Sequence, residues 1–146
     1  MMLRATSFAR AGFVTQKPFA EISLEAQERH IRRKVIALNS NEDVLVDFPK
    51  AIKLEDGDCL VLEDGRLVQI AALPEDLMEV RASDPNHLSR LAWHIGNRHL
   101  EAQIDATRIL IRPDHVIVKM LERQGATVTH VREKFSPEYG AYAHGH

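Results

Sequence analysis

The chain has a single cysteine, Cys59, among its 146 residues. An internal disulfide is therefore excluded, and so are zinc sites built on paired CxxC thiolates. Cys59 lies in the apolar run Cys59-Leu60-Val61-Leu62 with no histidine beside it. It reads as a small buried hydrophobe suited to a reducing cytosol. Aromatic residues are only 5% of the chain and the formal net charge is −2. With sparse aromatics and no broad basic footprint, nucleic acid and anionic membrane are not expected partners. No stretch approaches the roughly 20 apolar residues of a membrane span, and positions 1–10 lack the apolar core of a signal peptide. What is present, 45% apolar and 27% charged residues, is the composition of an ordinary soluble globular protein.

The periodicity changes once along the chain. Short apolar or alternating runs over 19–24, 34–38, 44–48 and 60–62 predict a β-rich first half, with a short helical turn over 25–28. Asp56-Gly57 and Asp64-Gly65 punctuate the later runs, and the second pair predicts a hairpin between Leu62 and Leu67. The basic cluster Arg29, Arg32, Arg33 and Lys34 is expected to be a solvated strand face, with a partner-binding surface as the alternative. Leu73-Pro74-Glu75 is a candidate linker. Beyond it the order predicts βαββαβ, the ferredoxin-like split βαβ arrangement. A strand over 77–82 leads to a helix capped by Asp84 and opened by Pro85. Its apolar stripe is Leu88, Leu91, Ala92 and Ile95, and its stop is Gly96-Asn97. Two strands follow over 102–105 and 108–112. A second helix opens at Pro113, buries Val116, Ile117, Met120 and Leu121, and ends at Gly125. The last strand is 127–132, and the Pro-, Gly- and Ala-rich region after Phe135 reads as a mobile tail.

Histidine is the unusual ingredient. Of eight, seven fall between His87 and His146, and two lie in the last three positions. The segment HIGNRH (94–99) places histidines five apart. On a continuous helix such positions point about 140° away from each other, so His94 and His99 cannot chelate one ion together. With the helix ending between them, His99 lies just past its end. A single imidazole is a weak ligand, so further donors must come from another segment or another chain. The available segment is the tail, with His144 and His146. The available chain is a second copy, because a two-fold axis brings a residue against its own mate. An all-imidazole site of this kind suits nickel, copper or zinc. The alternative is that these are ordinary surface and core histidines.

Much of the chain resembles the urease accessory proteins of the UreE family, the nickel metallochaperones of urease assembly. The resemblance is carried by HIGNRH (94–99), RILIRPDHVIVKML (108–121), GATV (125–128), FSPEYGAY (135–142) and the closing HGH. A looser match runs through ER (28–29), DGD (56–58) and LEDGRLVQI (62–70). It implies a homodimer of subunits without catalysis of their own. Each subunit would have a β-rich, peptide-binding-like domain over 1–74, a ferredoxin-like metal-binding domain over 75–136 and a flexible histidine-containing tail over 137–146. The resemblance also implies that His99 is the central nickel ligand at the dimer interface and that His144 and His146 complete the coordination. His115 corresponds to a peripheral metal-binding histidine of some members, and His94 to a motif histidine outside the primary set. Pro113 stands where some members carry another histidine, Glu101 where many carry proline, and the tail has two histidines rather than a long run. Pro113 weakens the peripheral site at His115, and the short tail points to a carrier of few ions rather than a storage protein.

The expected function is therefore delivery of Ni²⁺ for assembly of the urease active site. Zn²⁺ or Cu²⁺ could also bind. The expected partners are the urease accessory GTPase and the urease apoprotein complex, and the expected compartment is the cytoplasm. Two alternatives come from other classes. A metal-dependent hydrolase would need a bound-water position and a general base, but no HExxH accompanies HIGNRH. A peptide- or RNA-binding module would draw on the βαββαβ order and the basic residues at 29–34.

Overall fold

The computed structural model describes residues 2–138, and the chain divides into two compact units, Met1–Leu73 and Pro74–His146. In the first unit, β1 (Met2–Ala9), β2 (Ala20–Leu24), β3 (His30–Ala37), β4 (Asp43–Lys53), β5 (Cys59–Leu62) and β6 (Leu67–Ala72) form one sheet in the order β2-β6-β5-β1-β4-β3. β1 is parallel to β4 and β2 to β6, and the other neighbours are antiparallel. The period of two along a strand sorts the residues. Val44, Val46 and Phe48 enter a core with Leu3, Ala5, Leu60, Val68 and Ile70, while Leu45 and Asp47 face the other way.

The hairpin at Asp64-Gly65 is present. Gly65 adopts φ 90, the region that glycine enters without steric cost, and the Asp64 carboxylate accepts the Arg66 N–H at 3.0 Å. The DGD element proves structural. Asp58 is buried and accepts from Arg10 Nη1 (2.7 Å), Ala11 N (3.0 Å) and Glu55 N (2.8 Å). Cys59 is fully buried, and burial pushes its thiol pKa up. The basic cluster does not form a single solvated face. Arg29 is 1% exposed and donates to the carbonyls of Leu24 (3.3 Å) and Leu54 (3.2 Å). Arg32 and Arg33 are exposed and share the Asp47 carboxylate with Arg4. Arg29 ends the 3-10 turn Ala26–Arg29, which places its buried side chain against these two backbone carbonyls rather than in solvent.

The second unit runs β7 (Pro74–Arg81), α1 (Pro85–Asn97), β8 (Gln103–Ile104), β9 (Ile109–Ile111), α2 (His115–Arg123) and β10 (Thr127–Lys134). Its sheet is antiparallel in the order β10-β7-β9-β8. The chain is thus a two-unit mixed α/β protein, rich in sheet and with two α-helices among the described residues. The helices bury Leu88, Leu91, Ile95, Ile117 and Leu121 against Val80, Ile109 and Ile111. None of the described helices is long and apolar enough to cross a membrane.

Three details differ from the sequence expectation. The candidate linker is not a loop, because Pro74 opens β7 opposite Lys134, and the first position of a strand tolerates a residue without an N–H. α2 is capped by Asp114, whose carboxylate accepts from Val116 N (3.0 Å) and Ile117 N (3.2 Å), so Pro113 lies outside it. That start leaves Ile117 and Leu121 as the inward pair, and Val116, one helical step of about 100° away, is 60% exposed. α1 ends at Asn97, within the expected Gly96-Asn97 stop. Finally, the chain after Phe135 is held for three more residues. Pro137 is buried, and Glu138 forms an antiparallel bridge with Ala102. The remainder of the expected tail, with His144 and His146, lies outside the described residues.

Candidate metal centre

The candidate site begins at the end of α1. The His99 N–H donates to the Gly96 carbonyl (3.0 Å) and the Leu100 N–H to the Ile95 carbonyl (3.5 Å), and His99 has φ 60. These bonds close a Schellman motif, with His99 in the left-handed position that helix ends most often give to glycine. Leu100 then turns back toward the core that contains Ile95. The exposed His99 thereby leaves the helix direction that carries His94. This is the physical separation behind the five-residue spacing.

His99 borders a cleft of about 250 Å³ lined with Leu100, Glu101, Ile111, Arg112, Pro113 and Asp114. The carboxylates there have structural partners. Glu101 Oε2 accepts from Arg112 Nη1 at 2.8 Å, the Arg112 guanidinium lies 5.0 Å from the centre of the Phe135 ring, and Asp114 caps α2. Arg112 and Asp114 were not singled out as cleft residues from sequence. The aspartate one position before an apolar helix was the available signal.

The other histidines are distributed. His115 is exposed at the first position of α2, next to cleft residue Asp114. His94 is half-buried, with its ring edge-on to Trp93 at 5.1 Å. His87 ties the two helices together. Its Nδ1 accepts the Ser83 N–H at 3.0 Å, and its Nε2 lies 2.7 Å from the Gln124 carbonyl and must donate to it. His130 faces Asp76 at 3.4 Å. Among the described residues no group of three or more His, Cys, Asp and Glu side chains is gathered as a metal cage. Two further paired acids lie elsewhere, on the sheet. Arg81 and Arg108 hold the Glu79 carboxyl below its usual range, Arg108 does the same for Glu133, and both acids raise Arg108.

The features define a sheet-rich, two-unit protein with an exposed histidine beside an open cleft. The model of the UreE urease accessory protein, C-terminal domain, matches residues 75–146, and that of the N-terminal domain matches 6–73. The urease accessory protein UreE of Brucella anthropi is 55% identical over 146 residues, covering 99% of this chain and 86% of that protein. Urease accessory protein UreE 1 of Brucella suis biovar 1 is 53% identical over 146 residues, with 99% and 90% covered. The Mesorhizobium japonicum urease accessory protein UreE is 54% identical over 144 residues, with 98% and 74% covered. The chain belongs to the UreE urease accessory protein family.

Proposed function

We propose that this protein is a non-catalytic nickel carrier of the cytoplasm that delivers Ni²⁺ for assembly of the urease active site. The ion is its cargo, held between two copies by His99 and its symmetry mate and completed by His144 and His146, with His115 as a peripheral contact. The observation that carries this reading is the placement of His99. An exposed imidazole occupies a left-handed helix-end position that favours glycine, and such backbone outliers gather at functional sites. Neutral imidazoles suit Ni²⁺, and Zn²⁺ or Cu²⁺ competes for the same donors. Trp93, at 65% exposure, and Val116 give the same unit apolar surface for a second copy. The βαββαβ order and the sheet order β10-β7-β9-β8 support reading this unit as ferredoxin-like. An ion at a surface two-fold axis is open to handover. The receiving partners in this reading are the urease accessory GTPase and the urease apoprotein.

The hydrolase alternative is weaker because Glu101, the nearest carboxylate in sequence, is engaged by Arg112 and is poorly placed as a free general base. Calorimetric titration of Ni²⁺ with mass measured alongside tests the carrier reading. One tight site per two chains, lost in His99→Ala while the dimer persists, is expected. An unchanged titration in that variant refutes it.

A further inference from the structure

Arg32 and Arg33 are consecutive residues of β3, and strand alternation would send their side chains to opposite faces. The pairing of β3 with β4 shifts register between Ile31 and Arg33, and a bulge of this kind re-aims a side chain. Both guanidinium groups consequently meet one carboxylate. Arg32 Nη1 lies 3.2 Å from Asp47 Oδ1, and Arg33 Nη1 lies 2.9 Å from Asp47 Oδ2. Arg4 reaches the same carboxylate at 3.2 Å from β1, on the other side of β4. One carboxylate balances one guanidinium. Glu63 stands 3.9 Å from Arg4, but neither Arg32 nor Arg33 has a second acid among the described residues. The Asp47 side chain is 19% exposed, whereas those of Arg32 and Arg33 are 54% and 59% exposed. Each of these two arginines donates one N–H to Asp47 and turns most of its planar fork of donors to solvent.

The face that carries Asp47 is also partly apolar. Leu3 and Ile36 point into the core, so their neighbours Met2 and Val35 stand on the opposite face, where they are 54% and 50% exposed. β3 is the last strand of its sheet, and no further strand among the described residues covers this rim. Methionine and arginine are enriched where proteins meet. We propose that Arg4, Arg32 and Arg33, pinned by Asp47, form a docking surface for an acidic, partly apolar segment of a partner protein. Carboxylates of that segment take the open guanidinium forks through paired N–H···O bonds, and its apolar side chains lie against Val35 and Met2. Asp47 is the positioning residue, because it holds side chains of one like charge close together before the partner arrives. The surface lies wholly within Met1–Leu73 and is independent of the nickel reading.

The test follows the arginine Nε–H resonances of the full-length protein by NMR while an acetylated, amidated Glu-Leu-Glu-Leu-Glu peptide is added. Arg32 and Arg33 should shift together and saturate. Arg66, whose fork is already spent on Asp64, should stay in place. The Gln-Leu-Gln-Leu-Gln counterpart should move neither arginine, and inorganic phosphate at the same concentration should give no saturating shift. Binding should weaken as salt is raised, because exposed charges are screened. Arg32→Gln and Arg33→Gln should each lower peptide affinity by about threefold, and by about tenfold together, with the melting temperature unchanged. If the glutamine pair does lower the melting temperature, Arg32→Lys with Arg33→Lys decides in its place, since it keeps both charges and loses the forks. Wild-type affinity in the deciding pair overturns the proposal, as does a peptide titration that leaves Arg32 and Arg33 unmoved. An equal response to the glutamine peptide removes the charge recognition. Equal saturation by phosphate replaces the protein segment by a small-anion patch and overturns the docking surface.

Discussion

Replacing His99 by glycine and by alanine separates what its backbone costs from what its imidazole does. At φ 60 a residue with a Cβ is strained, and the left-handed conformation costs a non-glycine residue roughly 1–2 kcal/mol. Glycine relieves that strain but adds conformational entropy to the unfolded chain, which takes back roughly 0.5–1 kcal/mol. Any contact that the imidazole makes is lost in both variants and cancels in the comparison. His99→Gly should therefore be more stable than His99→Ala by about 0.5–1 kcal/mol. In a cooperative unit of this size that corresponds to a difference of about 2–6 °C in melting temperature. The assay is thermal unfolding of the metal-free proteins followed by circular dichroism, with Ni²⁺ titration of the same samples. The tight nickel site should be absent from both. A glycine variant that melts with or below the alanine variant would refute the helix-end strain. A glycine variant that kept the tight site would refute the assignment of His99 as its central ligand.

Only neutral imidazole binds a metal, so protons compete with Ni²⁺. Nickel affinity measured from pH 5 to 8 should fall as pH drops through about 6.5, the reference value for histidine, and more steeply than one protonation allows. A flat profile between pH 6 and 7 would exclude a histidine site. His87→Ala should destabilise the second unit by about 0.5–1.5 kcal/mol in urea unfolding, because it removes the ring's bonds to the Ser83 N–H and the Gln124 carbonyl. A change within experimental error would mean that water replaces the ring at no cost. Glu79 and Glu133 have carboxyl pKa values lowered by folding. Their contribution to stability is thus complete above the unfolded glutamate value of about 4.3 and is lost as pH falls through the lower folded values. Arg108→Met should flatten the acid limb of the stability profile measured from pH 2 to 6, and an unaltered limb would show that the network is screened.

Features encoded by neighbouring residues were legible in the sequence. Asp84-Pro85 marks the start of α1 because a carboxylate and a proline meet the needs of a helix N-terminus. Asp64-Gly65 marks the hairpin because the turn itself requires glycine's conformations. The five-residue interval between His94 and His99 already separated the two imidazoles by helical geometry. Tertiary structure decided what depends on residues distant along the chain. Gly96-Asn97 marked where α1 stops, but only the packing of Ile95 and Leu100 placed His99, rather than a glycine, in the left-handed turn that closes it. Val116 continued the apolar stripe in sequence, but the packing that buries Ile117 and Leu121 turns it outward. Arg29 left the solvated cluster because the carbonyls of Leu24 and Leu54 meet around it. The segment after Phe135 contains proline and glycine and little else to suggest order. Ala102, Gln103 and Arg112, brought together by the sheet, supply the backbone partners, the amide and the guanidinium that hold residues 135–138.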